Sequence, residues 1–292
     1  MNNILLKVKI LICILFFIFA HSPAYSQAKL PCIKAESTIL IDAETLTVLY
    51  EKNADKKLYP ASITKILTCY LGIKYGGNIN QKITVSRKAA YSITPGSSTI
   101  ALKPGEIFPY LDVLYGLMLR SANECGNVIA EHVSGSNRAF AELMNETVKK
   151  WGLKNTHFVN PHGLHNKDHY TSARDMAIIA FHAMKNPLFR KIVRTRKHPF
   201  PDTNKHRAKE RGVMYNKNKM LHKGNAFYYE PCIGIKAGYT RHSLHTFVAA
   251  ARKSNHTLIA VVMRAPDKEL MYKNLISLLE YGFKQYENKT II

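Results

Sequence analysis

Strand-like segments lie at both ends of this 292-residue chain, and helical patterns fill the middle. Apolar and β-branched runs bounded by turn residues predict five strands. They cover residues 38–42, 46–51, 232–240, 245–251 and 257–263. The last two are joined at Lys253-Ser254-Asn255, which is typical of a hairpin turn. When early and late strands share one sheet, the chain between them forms a separate layer, so we expect an α/β (α+β) fold: an antiparallel sheet flanked by helices plus a mostly helical lobe.

Apolar residues spaced three and four positions apart predict the helices. They cover residues 62–75, 110–120, 127–133, 140–151, about 172–184 and 270–286. Residues 121–126 and 158–167 lack such a period, and we expect both to be loops. The side of the last helix that we expect to be buried carries Met271, Leu275, Leu278, Leu279 and Phe283.

The first 26 residues have the three parts of a secretory signal peptide. Lys7 and Lys9 precede an uncharged run over residues 10–20, and small residues stand at the −3 and −1 positions of a cut after Ser26. The run is short for a transmembrane anchor, which is the alternative reading. We therefore expect one mature domain, residues 27–292, with no membrane span after processing. We place it in the periplasm or another extracytoplasmic part of the cell envelope.

The chain is strongly basic, with 42 Lys and Arg against 20 Asp and Glu. Twelve of the basic residues and only two acids fall within residues 190–223. In a cytosolic protein this would suggest nucleic acid as a partner, but the export signal argues against that. The alternatives are an anionic envelope polymer or lipid headgroup, or a solvated basic face with no dedicated partner.

Cysteine and histidine residues show no metal-binding spacing, so we expect no metal. Four cysteines follow the leader: Cys32, Cys69, Cys125 and Cys232. Cys69 sits in an apolar helical run and is expected to be a buried free thiol, and Cys125 a small buried residue at a helix start. We expect no disulfide.

Ser62-Ile63-Thr64-Lys65 is the first segment that could carry chemistry. Residues i and i+3 share one face of a helix, so the amine can reach the hydroxyl. A serine hydroxyl becomes a good nucleophile when a base removes its proton, and a lysine can be that base if burial lowers its pKa. Alone, this spacing is common and more often marks a helix cap.

Two further segments are equally weak on their own. In Ser121-Ala122-Asn123 a second hydroxyl and an amide could point to one side of a loop. In Lys236-Ala237-Gly238 an amine could attract a carboxylate, and a glycine would let an extended peptide lie against the strand edge.

Together and in this order, the three segments resemble the Ser-x-x-Lys, Ser-x-Asn and Lys-Thr-Gly motifs of penicillin-binding proteins and serine β-lactamases. The resemblance is closest to the low-molecular-mass, serine-type D-alanyl-D-alanine carboxypeptidases, and it runs from about residue 38 to 283. It is carried by residues 60–68, 117–123, 158–164, 171–175, 234–240 and 278–283.

The resemblance implies the penicillin-binding protein/β-lactamase-like transpeptidase fold and an acyl-enzyme mechanism on peptidoglycan stem peptides. Ser62 would attack the penultimate D-Ala carbonyl, Lys65 would accept its proton, and Ser121 would pass a proton to the leaving D-Ala. β-Lactams would acylate Ser62 as substrate mimics. No cofactor is implied.

The resemblance also implies the residues that bind substrate. Asn123 would position the peptide, and Lys236 would bind near its terminal carboxylate and polarise Ser121. Gly238, Tyr239 and Thr240 would form the strand edge along the peptide. The N–H groups of Ser62 and Tyr239 would form the oxyanion hole.

Three departures from the family pattern stand out. Ala237 replaces the usual Thr or Ser, whose hydroxyl helps to hold the substrate carboxylate; Thr240, Arg241 or Arg264 could compensate. Arg241-His242-Ser243-Leu244 replaces an acidic residue followed by Ala-Gly. The chain ends soon after the closing helix, so we expect neither the C-terminal β domain nor the membrane anchor of many relatives.

Other activities on the same fold remain open at this stage. One is a D-alanyl-D-alanine endopeptidase that cuts crosslinks. Another is a weakly active muropeptide- or penicillin-binding module, suggested by Ala237. Class A β-lactamases use a glutamate in the loop after the Ser-x-Asn motif to activate water. Residues 158–174 contain no Glu, which disfavours this activity.

Overall fold

The computed structural model describes residues 30–287. The predicted signal peptide and its cleavage after Ser26 lie outside the described residues and stay predictions. Between residues 30 and 287, no helix combines the length and apolar character that crossing a bilayer requires.

Five antiparallel strands form the main sheet, in the spatial order β2-β1-β9-β8-β7. The strands of the chain are β1 Ser37–Asp42, β2 Val48–Lys52, β3 Lys82–Thr84, β4 Ile107–Pro109, β5 Lys197–Pro199, β6 Val213–Tyr215, β7 Cys232–Thr240, β8 Leu244–Lys253 and β9 His256–Ala265. Pairing of β1 with β9 runs from Ser37 opposite Met263 to Asp42 opposite Leu258. The prediction that early and late strands share one sheet is confirmed, and β7 lies at its edge.

Helices cover the sheet and form the second lobe. They are α1 Lys65–Tyr75, α2 Arg87–Tyr91, α3 Tyr110–Tyr115, α4 Asn123–Ser134, α5 Asn137–Lys150, α6 Ala173–Met184, α7 Pro187–Arg194, α8 Ala208–Arg211 and α9 Lys268–Glu287. The two hairpins β3–β4 and β5–β6 are joined to each other. Asn204, in the β5–β6 connection, accepts from Ile107 N at the start of β4, and its neighbour Thr203 donates to Glu106.

The two faces of the sheet bury different helices. On one face Leu40 and Val262 join a cluster with α9, whose five expected core residues are all buried. On the other face Ile39 and Val261 join the large core that includes α1, α4 and α6. Successive side chains of a strand point to opposite faces, so the sheet packs against α9 on one face and against the helical lobe on the other.

The prediction of a loop over residues 121–126 is wrong, because α4 begins at Asn123. The polar side chains at the start of this helix are satisfied by tertiary partners. Glu124 Oε1 accepts from Thr99 Oγ1 at 2.6 Å and from Ile100 N at 2.7 Å. The loop between the turn that precedes it and α4 is therefore only Ser121-Ala122.

Three other predicted elements needed adjustment. The helix predicted over residues 62–75 starts as a 3₁₀ turn, Ala61–Thr64, and becomes α-helical at Lys65. The helix over 110–120 ends in a π turn, Gly116–Arg120. The basic segment, whose sequence is rich in turn residues, contains the end of α7, all of α8 and the β5–β6 hairpin.

Candidate active site

Ser62 lies on the 3₁₀ turn that connects the sheet to α1. This turn packs against β7 on one side and the 158–167 loop on the other. Gly163 of that loop has φ +86° and lies so close to Ala61 O that a Cβ would overlap it. Only glycine fits there, so the loop is held directly against the turn that carries Ser62.

The amine of Lys65 is fully buried one helical turn beyond Ser62. Its Nζ lies 3.0 Å from Ser62 Oγ, 2.7 Å from Asn123 Oδ1 and 2.5 Å from His162 O. Burial is the main cause of a pKa far below the usual lysine value, and the positive charge of Lys236 lowers it further.

The lowered pKa favours the neutral amine, and in that form the three contacts orient it. A neutral Nζ has two hydrogens and one lone pair, whereas the two carbonyl oxygens of Asn123 and His162 can only accept. The two hydrogens therefore go to these oxygens, and the lone pair is directed at the Ser62 hydroxyl. This arrangement can remove the Ser62 proton.

Ser121 is brought to the same place by its backbone. It has φ +62°, in the left-handed region, between the π turn and α4. This conformation is uncommon for residues other than glycine, and here it redirects the chain so that Ser121 lines the groove and Asn123 reaches Lys65. Asn123 is fixed further by its N–H, which donates to Ser98 O at 2.8 Å.

Gly238 allows β7 to approach the Ser62 turn. A Cβ at position 238 would lie 2.7 Å from both Ser62 N and Thr246 Oγ1, closer than real Cβ contacts. A side chain at position 238 would therefore push β7 away from the N–H of Ser62, and glycine keeps the two close together.

Lys236 is the buried cation of β7. It is only 4% exposed, and burial, assisted by Lys217, lowers its pKa to about 7. Its Nζ donates to Ala237 O at 2.9 Å, and among the described residues no hydrogen bond joins it to Ser121. The amine thus stands beside the groove without a counter-ion in the described part of the chain.

Tyr239 and Thr240 continue the same strand edge. Tyr239 is exposed, and its ring lies tilted against His245 with centroids 4.6 Å apart. Thr240 Oγ1 donates to Ser243 Oγ at 2.9 Å and accepts from Ser243 N at 3.0 Å. The Thr240 hydroxyl is therefore engaged within the β7–β8 turn.

Arg264 is directed away from the groove. It pairs with Glu36 at 2.6 Å and donates to His242 O at 3.0 Å. The β7–β8 turn that Arg264 contacts departs from the family pattern and carries His242. The ring of His242 stacks on that of His165, with centroids 3.6 Å apart. This pair of imidazoles thus joins the β7–β8 turn to the 158–167 loop.

A groove of about 480 Å³ brings the sequence-predicted residues together. Its lining includes Ser62, Ser121, Asn123, Lys236, Gly238, Tyr239 and Thr240. Lys65 lies directly beneath Ser62. Across residues 30–287, no cluster of three or more His, Cys, Asp or Glu side chains is arranged to hold a metal ion.

Sequence reasoning missed several residues of the groove. Ser97 and Ser98 form part of its wall, and Lys217 and Lys268 add two more amines to its lining. Lys217 Nζ donates to Ser98 Oγ at 3.1 Å. The only sequence signal for Lys217 was its place in the basic segment, which gave no reason to single it out.

The profile of the D-alanyl-D-alanine carboxypeptidase family matches residues 24–267. The chain belongs to this family. The chain is 34% identical over 256 residues to D-alanyl-D-alanine carboxypeptidase DacF of Bacillus subtilis, covering 87% of this chain and 63% of the relative. Identity to DacA of Haemophilus influenzae is 33% over 265 residues, covering 88% and 64%. The chain thus spans less than two thirds of the length of both relatives.

Solved structures agree with this D-alanyl-D-alanine carboxypeptidase family assignment. The Streptomyces K15 DD-transpeptidase superposes with a TM-score of 0.79 at 27% identity, covering 88% of this chain and 99% of that one. Penicillin-binding protein 5 of Haemophilus influenzae gives 0.78 at 32% identity, covering 88% and 72%. The predicted family and fold class are confirmed.

Proposed function

We propose that the protein is a serine-type D-alanyl-D-alanine carboxypeptidase that removes the terminal D-Ala from peptidoglycan stem pentapeptides. The observation that carries the proposal is the 3.0 Å contact between Ser62 Oγ and a fully buried Lys65 amine in a groove lined by Ser121, Asn123 and Lys236. Membership of the carboxypeptidase family supports the same reaction.

Acylation begins at Ser62. Its Oγ bonds to the penultimate D-Ala carbonyl carbon while its proton moves to the lone pair of Lys65. The N–H groups of Ser62 and Tyr239 stabilise the oxyanion, a role that the close approach at Gly238 supports. The peptide lies along the free edge of β7.

Departure of D-Ala breaks the C–N bond and needs a proton on the leaving amine. Ser121, which lines the groove near Asn123, passes that proton on from the Lys65 side. Water then attacks the ester carbon and gives a proton to Lys65. The C–O bond to Ser62 breaks, the proton returns from Lys65 to Ser62 Oγ, and the shortened peptide leaves.

The carboxylate of the departing D-Ala binds at the cationic end of the groove. Lys236, Lys217 and Lys268 line this end, and none of the three forms an ion pair within the described range of residues. Their joint positive potential supports carboxylate binding where Ala237 offers no hydroxyl. β-Lactams, which carry a carboxylate next to an acylating amide, would enter in the same way.

We also propose that the enzyme acts outside the cytoplasm. The leader pattern in residues 1–26 supports export, and the substrate class, the peptidoglycan stem peptide, is found in the cell wall. Crosslink cleavage by the same groove remains the alternative activity.

Product analysis separates these activities. Purified protein is incubated with pentapeptide muropeptides and with crosslinked dimers, and products are identified by mass spectrometry, with Ser62→Ala as the control. Loss of one D-Ala from the monomers supports the carboxypeptidase. Loss of dimers with intact monomers would instead identify an endopeptidase, and no product from either would contradict the proposal.

The pH profile tests Lys236. Because its pKa is about 7, the cation is present below this pH and is lost as pH rises through it. We expect kcat/KM for a D-Ala-D-Ala peptide to fall on this alkaline side. Lys236→Arg keeps its charge throughout the range, so the alkaline fall should disappear in this variant; an identical fall in both proteins would assign it to another group.

Restoring the family hydroxyl tests Ala237. The Ala237 side chain lines the groove and is partly exposed, so a threonine can be accommodated. A hydrogen bond to a charged group contributes roughly 1.5–3 kcal/mol, so Ala237→Thr should speed acylation by fluorescent penicillin about tenfold or more. Ala237→Val adds similar bulk without a hydroxyl; an equal gain in both variants would exclude hydrogen bonding as the cause.

A further inference from the structure

The basic segment, residues 190–223, keeps almost all of its charge unneutralised. Of its twelve Lys and Arg side chains, only Arg211 forms an ion pair among residues 30–287. Ten of the twelve are exposed. These are Arg190, Lys191, Arg194, Arg196, Lys197, Lys205, Arg207, Lys209, Lys217 and Lys223. We call this set the basic band.

The β5–β6 hairpin is anchored beside β4 by residues outside the band. Asn204 accepts from Ile107 N at 2.7 Å and donates to Gly105 O at 2.9 Å. Thr203 Oγ1 and Arg211 both donate to buried Glu106 Oε1, at 2.9 and 3.1 Å. Within the band, Arg190 and Lys217 donate side-chain hydrogen bonds to neutral groups, at Met184 O, Lys185 O and Ser98 Oγ, so these contacts leave their charges unneutralised.

The band begins at the rim of the groove. Lys217 lies two residues beyond the end of β6, its N–H donates to Leu119 O at 3.1 Å, and its side chain lines the groove beside Ser98. Lys205, Arg207 and Lys209 belong to the segment that connects β5 to β6, the strand that precedes Lys217. A charged chain lying on the band would thus pass close to the groove.

The band lacks the exposed apolar side chains of a surface that inserts into a membrane. Peripheral helices insert several apolar side chains into the lipid, but the apolar residues Phe189, Ile192 and Val193 of α7 are buried in the protein core. Tyr215 is the exposed large hydrophobic residue of the segment. Repeated cations with so little apolar surface match a hydrated polymer better than a bilayer.

We propose that the basic band binds a linear polyanion with repeated carboxylate or phosphate groups, such as an anionic polymer of the cell envelope, and so holds the groove near the wall. The binding is independent of the proposed reaction. Its effect on wall hydrolysis rests on the proposed function.

Poly-L-glutamate serves as the probe, and fluorescence anisotropy measures its dissociation constant at physiological salt. The test variant is Lys205→Glu/Arg207→Glu/Lys209→Glu. The matched control is Lys149→Glu/Lys150→Glu/Lys154→Glu, three exposed lysines at and just beyond the end of α5 that give the same change in net charge. Because each substitution replaces an attractive charge by a repulsive one, we expect about tenfold weaker binding for the test variant and less than about threefold for the control.

Three results would overturn the proposal: no binding by the wild-type protein, equal weakening in both variants, or tighter binding to phosphatidylglycerol vesicles than to poly-L-glutamate. The last would identify a membrane surface instead. If the glutamate variant does not fold, the corresponding glutamine variant replaces it. Cleavage of a small soluble D-Ala-D-Ala peptide should be unchanged in the test variant, while D-Ala release from isolated walls should fall, so failure of the proposed reaction would be seen separately from failure of binding.

Discussion

Ser62→Ala should abolish D-Ala release from a D-Ala-D-Ala peptide, with kcat lowered by at least about 10⁴-fold. The variant has no hydroxyl to form the ester, although the Lys65 amine and the rest of the groove remain. D-Ala release is measured by coupled assay, and the covalent penicillin adduct by intact mass.

Ser277→Ala provides the matched control, because Ser277 is an exposed serine on α9, whereas Ser62 lies in the groove. It should keep wild-type rates and a penicillin adduct of full stoichiometry. A penicillin adduct on the Ser62→Ala protein would place the nucleophile elsewhere and refute the acyl-enzyme proposed here.

Lys65→Met should lower kcat by at least about 10³-fold, within the range that general bases contribute. Methionine fills a similar volume but has no lone pair to accept the Ser62 proton. The carbonyls of Asn123 and His162 also lose their donor, and an unpaired buried acceptor costs about 1–3 kcal/mol. Thermal unfolding is measured beside activity to separate the two effects.

Two measurements make this prediction specific to the base. Wild-type activity should fall as pH decreases through the lowered pKa of Lys65, since protonation removes the lone pair; the residual activity of Lys65→Met should lack this fall. Lys74→Met, at the exposed end of α1, should leave rates unchanged. Loss of activity that merely tracks a loss of folded protein would argue against a catalytic role.

Local sequence patterns predicted helices and strands well where the position of buried apolar residues determines the element. The apolar side of α9 and the β8–β9 hairpin needed only periodicity and turn residues, and both are confirmed. The start of α4 was missed because its stability depends on distant groups: Glu124 is buried and bonded to Thr99, which no local pattern reveals.

The same limit applies to the candidate site. Motif spacing could suggest that Lys65 approaches Ser62, because both lie on one helical turn. It could not show that His162 O, 97 residues away, would take one of the amine hydrogens. Lys217 was also missed, because its approach to Ser98 depends on how the β5–β6 hairpin packs against the helical lobe.

The pairing of β1 with β9 has a consequence for biosynthesis. The Thr38 hydroxyl donates to Val261 O, 223 residues further along the chain. A ribosome therefore releases β1 long before its neighbour exists, and an unpaired apolar strand invites association with other chains. We expect the sheet to close only after β9 has been synthesised, so that the nascent polypeptide depends on chaperones or on slow compaction until then.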